Sequence, residues 1–153
     1  MKKLIGIIMP LFLCIFLFSC QTEEDGISKF EFLNASALNA GTYAGIEVES
    51  NSSMFKVTDC TINVEDEKIY ATVTLSGKGY GKLFAGTAQE AQKADESLYS
   101  LFTENADGKY EYTIEIEALD KEVPCAAWST RKEKWYDRTL VFKSDSLRDG
   151  AIK

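Results

Sequence analysis

The stretch Ile69-Tyr70-Ala71-Thr72-Val73-Thr74-Leu75 places an apolar residue at every second position. That period buries one face of a β-strand and wets the other, and it excludes an amphipathic helix, whose apolar residues recur every 3.6 positions. The preceding run, Met54 to Val64 (MFKVTDCTINV), has the same character, and Glu65 to Lys68 (EDEK) makes the turn between the two. Phe55 and Val57 fall out of step with Cys60, Ile62 and Val64, so a bulge is expected near Asp59. Similar segments occur at Phe30–Leu33, Tyr43–Val48, Tyr80–Ala85, Tyr110–Ile116, Val123–Trp128 and Thr139–Phe142. Asn105 to Lys109 (NADGK) forms a further turn. Seven to nine short strands predict an all-β sandwich, with residues 28–153 as its single domain. One segment breaks the pattern. Thr87 followed by Glu90 is a capping box, and Ala88, Ala91 and Ala94 give a narrow methyl face, which predicts a short inserted helix over about 87–96.

The first nineteen residues follow another rule. Lys2 and Lys3 precede an apolar run from Leu4 to Phe18, too short for the roughly 20 residues that a membrane-spanning helix needs. It matches the apolar core of a cleaved secretory leader. Leu17-Phe18-Ser19-Cys20 resembles the lipobox of bacterial lipoproteins, with Leu at −3, a small residue at −1 and Cys at +1. The resemblance implies a signal peptide over 1–19 and a lipid-modified, palmitate-bearing Cys20 that anchors the mature chain to a bacterial membrane; an uncleaved anchor is the alternative. More than one acyl chain is needed for stable anchoring. Residues 20–27 then form an acidic tether, and the domain lies outside the cytoplasm, at the cell surface or the periplasmic face.

Removing Lys2 and Lys3 with the leader leaves 15 basic side chains against 24 acidic ones, a balance of −9. That charge argues against a nucleic-acid partner, which needs a basic footprint. The chain has no histidine, so it lacks the commonest general base and metal ligand, and no metal site is expected. Cys14 leaves with the leader and Cys20 carries lipid, which leaves Cys60 and Cys125. Their spacing suits an inter-sheet disulfide outside the cell, although neither the Trp nor the Tyr that accompanies such a bridge is in place. Two buried thiols are the equal alternative.

Several motif matches break down on inspection. Gly77 to Lys82 (GKGYGK) has Ser76 and Leu83 where a phosphate loop needs Gly and a hydroxyl residue, so these glycines are expected to serve a bulge or tight turn. Ser53-Met54-Phe55-Lys56 and Ser129-Thr130-Arg131-Lys132 match S-x-x-K, yet the chain has no K-T-G and the first lies at the start of a strand. Thr103 to Gly108 lacks the first carboxylate of a calcium loop and has Ile114 at the twelfth position, so a hairpin on Asp107-Gly108 is expected there.

Trp128 to Arg138 (WSTRKEKWYDR) holds both Trp residues, Tyr136 and two of the three Arg of an otherwise acidic chain. Aromatic residues beside Arg are what interface hot spots are made of. Trp128, Arg131, Trp135, Tyr136 and Arg138 are therefore the candidate contact surface, with packing over the sandwich edge as the alternative. Met54 to Leu147, above all YGKLFAGTAQEAQKADES and VPCAAWSTRKEKWYDRTLVF, resembles a domain of clostridial and spirochaetal surface proteins. It is similar to the immunoglobulin-like third domain of the treponemal penicillin-binding lipoprotein. This resemblance implies an immunoglobulin-like β-sandwich on a lipid-anchored protein. No catalytic motif of that larger molecule maps onto a position here, so a penicillin-interacting protein is only a remote alternative.

Lys109 to Phe142 more distantly resembles NEAT domains, haem-capturing modules of Gram-positive surfaces. Those modules ligate iron through the first Tyr of Y-x-x-x-Y. Tyr136 matches it, while Leu140 stands at the second position. The implied alternative is a haem or iron-chelate binding lipoprotein. The expected function is thus a non-enzymatic, lipid-anchored extracytoplasmic binding or accessory module for a protein, glycan or small ligand.

Overall fold

The structure, a computed structural model, describes residues 32–153. The leader, Cys20, the tether and Phe30 lie outside the described residues. The hairpin read from the alternation is present as β4 (Val57–Glu65) and β5 (Lys68–Leu75), joined by Asp66 and Glu67, both at positive φ. That geometry twists the turn to match the strands. Ile69, Ala71, Val73 and Leu75 are all buried, and the register slips between Val57 and Asp59, where the bulge is expected.

β1 (Leu33–Asn34), β2 (Gly41–Ala44) and β3 (Val48–Ser50) precede this hairpin. β6 (Tyr80–Phe84), β7 (Ser100–Leu101), β8 (Thr103–Glu104), β9 (Tyr110–Ile116), β10 (Ala118–Leu119), β11 (Glu122–Ser129) and β12 (Lys134–Phe142) follow it. One five-stranded antiparallel sheet runs β2-β4-β5-β9-β8 and the other β3-β12-β11-β6-β7, with β1 and β10 as a separate pair. Without the edge strands β2 and β3, the orders are β4-β5-β9-β8 and β12-β11-β6-β7. These are the orders A-B-E-D and G-F-C-C′ of an immunoglobulin-like sandwich. Cys60, Ile62, Val73, Tyr112 and Ile114 of the first sheet and Leu83, Cys125, Ala127, Leu140 and Phe142 of the second share one core. Each large apolar side chain buried there contributes about 1.5–3 kcal/mol.

Two expected elements differ. Tyr43 to Val48 is not one strand: Tyr43 pairs on β4, Val48 pairs on β12 in the opposite sheet, and the chain crosses between them at Gly45 (φ 75°). Ile46 is buried on the way, its N–H donating to Cys60 O at 3.0 Å, so an apolar run here marks a crossing of the sandwich edge.

The helix is also shorter than expected. Thr87 caps it as read, with its N–H donating to Glu90 Oε2 at 2.7 Å and Glu90 N–H donating to Thr87 Oγ1 at 3.2 Å. The helix α1 nevertheless covers only Ala88–Ala91. Ala91 O accepts from the Ala94 N–H at 3.3 Å, a tighter turn that ends the helix, and the Tyr99 hydroxyl also donates to it at 2.7 Å. Asp95 then caps a separate 3-10 turn over Glu96–Leu98. Among the described residues no helix is long and apolar enough to cross a membrane.

Candidate functional site

The inward positions of β12 change character along the strand. Phe142 and Leu140 are fully buried core residues, and the next two inward positions toward the turn are Arg138 and Tyr136, both half-buried. The core gives way there to a cleft of about 470 Å³. Three stretches of chain meet at this end of the sandwich: Met54 and Lys56 before β4, Ser76 to Gly79 between β5 and β6, and the β11–β12 turn with Arg131 and Lys132.

Tyr80 enters the cleft through a backbone irregularity. Lys82 lies opposite Trp128 and Tyr80 opposite Ser129, which leaves Gly81 unopposed as a bulge. The bulge reverses the phase of β6, so Tyr80 packs against the main core, its ring 5.3 Å from that of Phe55. A Cβ on Gly81 would come within 3.0 Å of Thr130 Cγ2. The glycines of GKGYGK thus serve a bulge and, at Gly77 and Gly79, an open rim of the cleft.

Four cations, Lys56, Arg131, Lys132 and Arg138, line the cleft, and among the described residues no carboxylate does. Among the described residues, four surface ion pairs are formed and none uses any of these cations. Arg138 lies against two rings, its Cζ 5.1 Å from the centroid of Tyr136 and 5.8 Å from that of Tyr80. Its Nη2 donates to the Tyr80 hydroxyl at 3.0 Å and its Nη1 to Asp137 O at 2.8 Å. Tyr80 is braced in turn by the hydroxyl of buried Tyr112, which donates to Tyr80 O at 2.5 Å. Such an arrangement suits capture of an anion bearing an apolar or ring-shaped body.

The five candidate residues divide between two faces. Arg131, Tyr136 and Arg138 belong to the cleft. Trp128 and Trp135, opposite each other in register, point to the outer face of the same sheet. There Trp135 is only 9% exposed and packs with Ala91, Ala126, Phe84 and Tyr99 beneath α1. The Lys82 ammonium stands 4.4 Å from the Tyr99 ring, 5.2 Å from Trp128 and 5.5 Å from Trp135. The tryptophans therefore build a satellite core with a lysine already held among its rings, and they do not meet Tyr136.

Cys60 and Cys125 are buried free thiols, so of the two readings the bridge is absent from the structure. The inter-sheet bridge of this architecture joins strands B and F. Cys125 is on the F-like β11, but Cys60 is on β4, with Val73 opposite it on the B-like β5. Burial pushes both thiols up to about 12. Neither S-x-x-K serine opens a helix: Ser53 sits in the turn before β4, and Ser129 Oγ accepts from Lys132 N–H at 3.2 Å in the β11–β12 turn. Asn105 shapes the β8–β9 hairpin, accepting from the N–H groups of Asp107 and Lys109 at 3.0 Å each. Among the described residues no cluster of Cys, Asp and Glu is placed to hold a metal ion. No protein-family model matches the chain, and no curated protein matches it.

Proposed function

We propose that the chain is a lipid-anchored, extracytoplasmic binding module without catalytic activity, whose ligand enters the cleft between Lys56, Tyr80, Arg131, Tyr136 and Arg138. The observation that carries this reading is the convergence of two tyrosines and four cations, none in an ion pair among the described residues, on a pocket-sized cleft in an acidic protein. Its volume falls in the range of small-ligand sites, about 300–1,000 Å³. The strand directions add support. Leu33 pairs with Leu119, just beyond Ile116, and Ile116 lies opposite Ile69 at the start of β5, whereas Leu75 at its end lines the cleft. The described chain thus begins one strand length, roughly 20–25 Å, from the cleft. A lipid on Cys20 would tether the domain from the pole opposite the cleft.

Cell fractionation tests the anchor: Cys20→Ala should release the protein from the membrane fraction, and full retention would contradict the reading. An array of acidic and neutral glycans and small organic acids, probed with the full chain, tests the site. Ligands bound by the parent should be lost in Tyr136→Ala, with melting close to the parent temperature; ligands retained in that variant would place the site elsewhere.

A second reading, haem or iron-chelate capture, is favoured by the position of Tyr136 on the cleft, where its phenolate could hold iron while the surrounding cations face propionates. Leu140, at the second position of the tyrosine motif, is a fully buried core residue and not part of the lining. Titration of the full chain with haemin decides: a saturable Soret band lost in Tyr136→Phe supports it, and an unchanged spectrum removes it.

A further inference from the structure

Arginine carries five N–H donors. At Arg138 the fold engages one hydrogen on Nη1 and one on Nη2, and Nε is buried with no partner among the described residues. A buried charged donor without an acceptor carries its desolvation penalty uncompensated, and an anion held beside the guanidinium would offset part of that cost. Among the described residues no carboxylate pairs with Arg138. Glu49, Glu104, Glu115 and Glu117 are paired elsewhere with Lys143, Lys78, Lys68 and Lys121. The second hydrogens of Nη1 and Nη2 are also uncommitted among the described residues, and an oxyanion entering the cleft matches that end of the guanidinium fork.

The surroundings of Arg138 restrict what carries that oxyanion. Tyr136 and Tyr80 flank the guanidinium, and Met54 and Leu75 add apolar surface to the lining. A bare inorganic anion would leave most of about 470 Å³ unfilled. We infer that the cleft binds a small carboxylic acid whose carboxylate is carried on a ring, a uronic-acid sugar or an aromatic acid. The carboxylate takes the uncommitted Nη hydrogens of Arg138 and the ring lies against the tyrosines. The inference rests on the cleft being the binding site. Arg131, Lys132 and Lys56, exposed at the rim, draw the acid in by charge, and salt weakens that attraction.

The chain has only three arginines, Arg131, Arg138 and Arg148, so a ¹⁵N spectrum of the full chain in non-ionic micelles resolves the Arg138 Nε–Hε signal. The probes are glucuronate, benzoate, glucose and inorganic phosphate. A saturable shift of this signal with the two ring acids is expected, weakening as salt is added and absent with glucose. Arg138→Lys keeps the charge and loses the fork and the stack, and it should weaken ring-acid binding at least about tenfold. Should that variant fold poorly, Arg131→Ala at the exposed rim should still weaken binding severalfold. Phosphate binding as tightly as the acids would overturn recognition of the ring. Glucose shifting the Gly77 and Gly79 amides while Arg138 stays silent would overturn the carboxylate and leave the cleft as the binding site. Silence of Arg138 and of the rim amides with all four probes would overturn the inference outright.

Discussion

Replacing Trp135 with alanine separates packing from recognition in the hairpin that holds both tryptophans. Trp135 is 9% exposed, with ring centroids 5.1 Å from Tyr99 and 5.5 Å from Trp128, and it closes the small cluster around Ala91 and Ala126. Removing a buried Trp typically costs about 3–5 kcal/mol, because the transfer free energy is lost and a cavity remains. Two aromatic contacts at roughly 0.5–1.5 kcal/mol each are included in that figure. The Lys82 ammonium, partly buried, also loses one of its three rings, at roughly 0.5–1 kcal/mol. About 4 kcal/mol is therefore expected, which at roughly 4 °C per kcal/mol lowers the melting temperature by about 12–20 °C. Calorimetry or circular dichroism reads the shift. Tyr136→Ala, one residue on but facing the cleft, should cost nearer 1 kcal/mol, the usual size for a half-buried position. If Trp135→Ala melts within about 2 °C of the parent, the satellite cluster is not a packed core and the outer face becomes a surface available to partners.

Alkylation of the native chain should spare Cys60 and Cys125, and after unfolding without reductant both should react; failure of both to react then would reveal a bridge. Because burial raises both thiols from 9.0 to about 12, their contribution to stability is complete below pH 9 and is lost as the pH rises from 9 toward 12. The backbone and hydroxyl of Thr87 hold the Glu90 carboxyl below its ordinary 4.5, so the capping box stabilises above that value and is lost as the pH falls through the lowered one. The Thr87 amide shift should titrate at that lowered value, Thr87→Ala should cost about 1 kcal/mol, and a midpoint at the ordinary glutamate value would show that the box does not form. Gly86→Ala should also destabilise this turn, since φ is 152° and the added Cβ would lie 2.6 Å from Phe84 Cε1 and 2.9 Å from Glu90 Oε2; an unchanged melting temperature would contradict that packing.

Much of the sandwich is legible in the sequence because β4 and β5 form a local hairpin, and their alternation and that of β9 are long enough to fix a face. The phase change at Asp59 is readable for the same reason, as both halves of the strand lie in one run. The division of Tyr43–Val48 is not readable, because an edge crossing that buries Ile46 has the same apolar signature as a strand. At the end of α1 the Ala91 carbonyl is shared by Ala94 and by Tyr99, eight residues on, and a narrow alanine face carries no sign of the Tyr99 hydrogen bond.

The candidate site shows both outcomes. The composition of Trp128 to Arg138 points to a hairpin that borders the cleft, and three of the five residues named from it line it. Grouping all five on one surface ignores the strand period, which sends Trp135 and Tyr136 to opposite faces. Tyr80, Lys56 and Met54 arrive from other loops, and the Gly81 bulge that turns Tyr80 inward emerges only from its pairing with β11. A signal was present in GKGYGK and in the two S-x-x-K segments: read as catalytic motifs they lead nowhere, yet as loop sequences all three supply residues to the cleft.

Amide chemical-shift mapping of the full chain against a fragment set of acids, neutral sugars and haemin tests the location of the site, whatever the ligand proves to be. The account predicts that saturable shifts gather on Gly77, Gly79, Tyr80 and Ser129 to Lys132 around the cleft. Shifts gathered instead on Lys82, Tyr99, Trp128 and Trp135 would contradict it and return the binding surface to the tryptophan face.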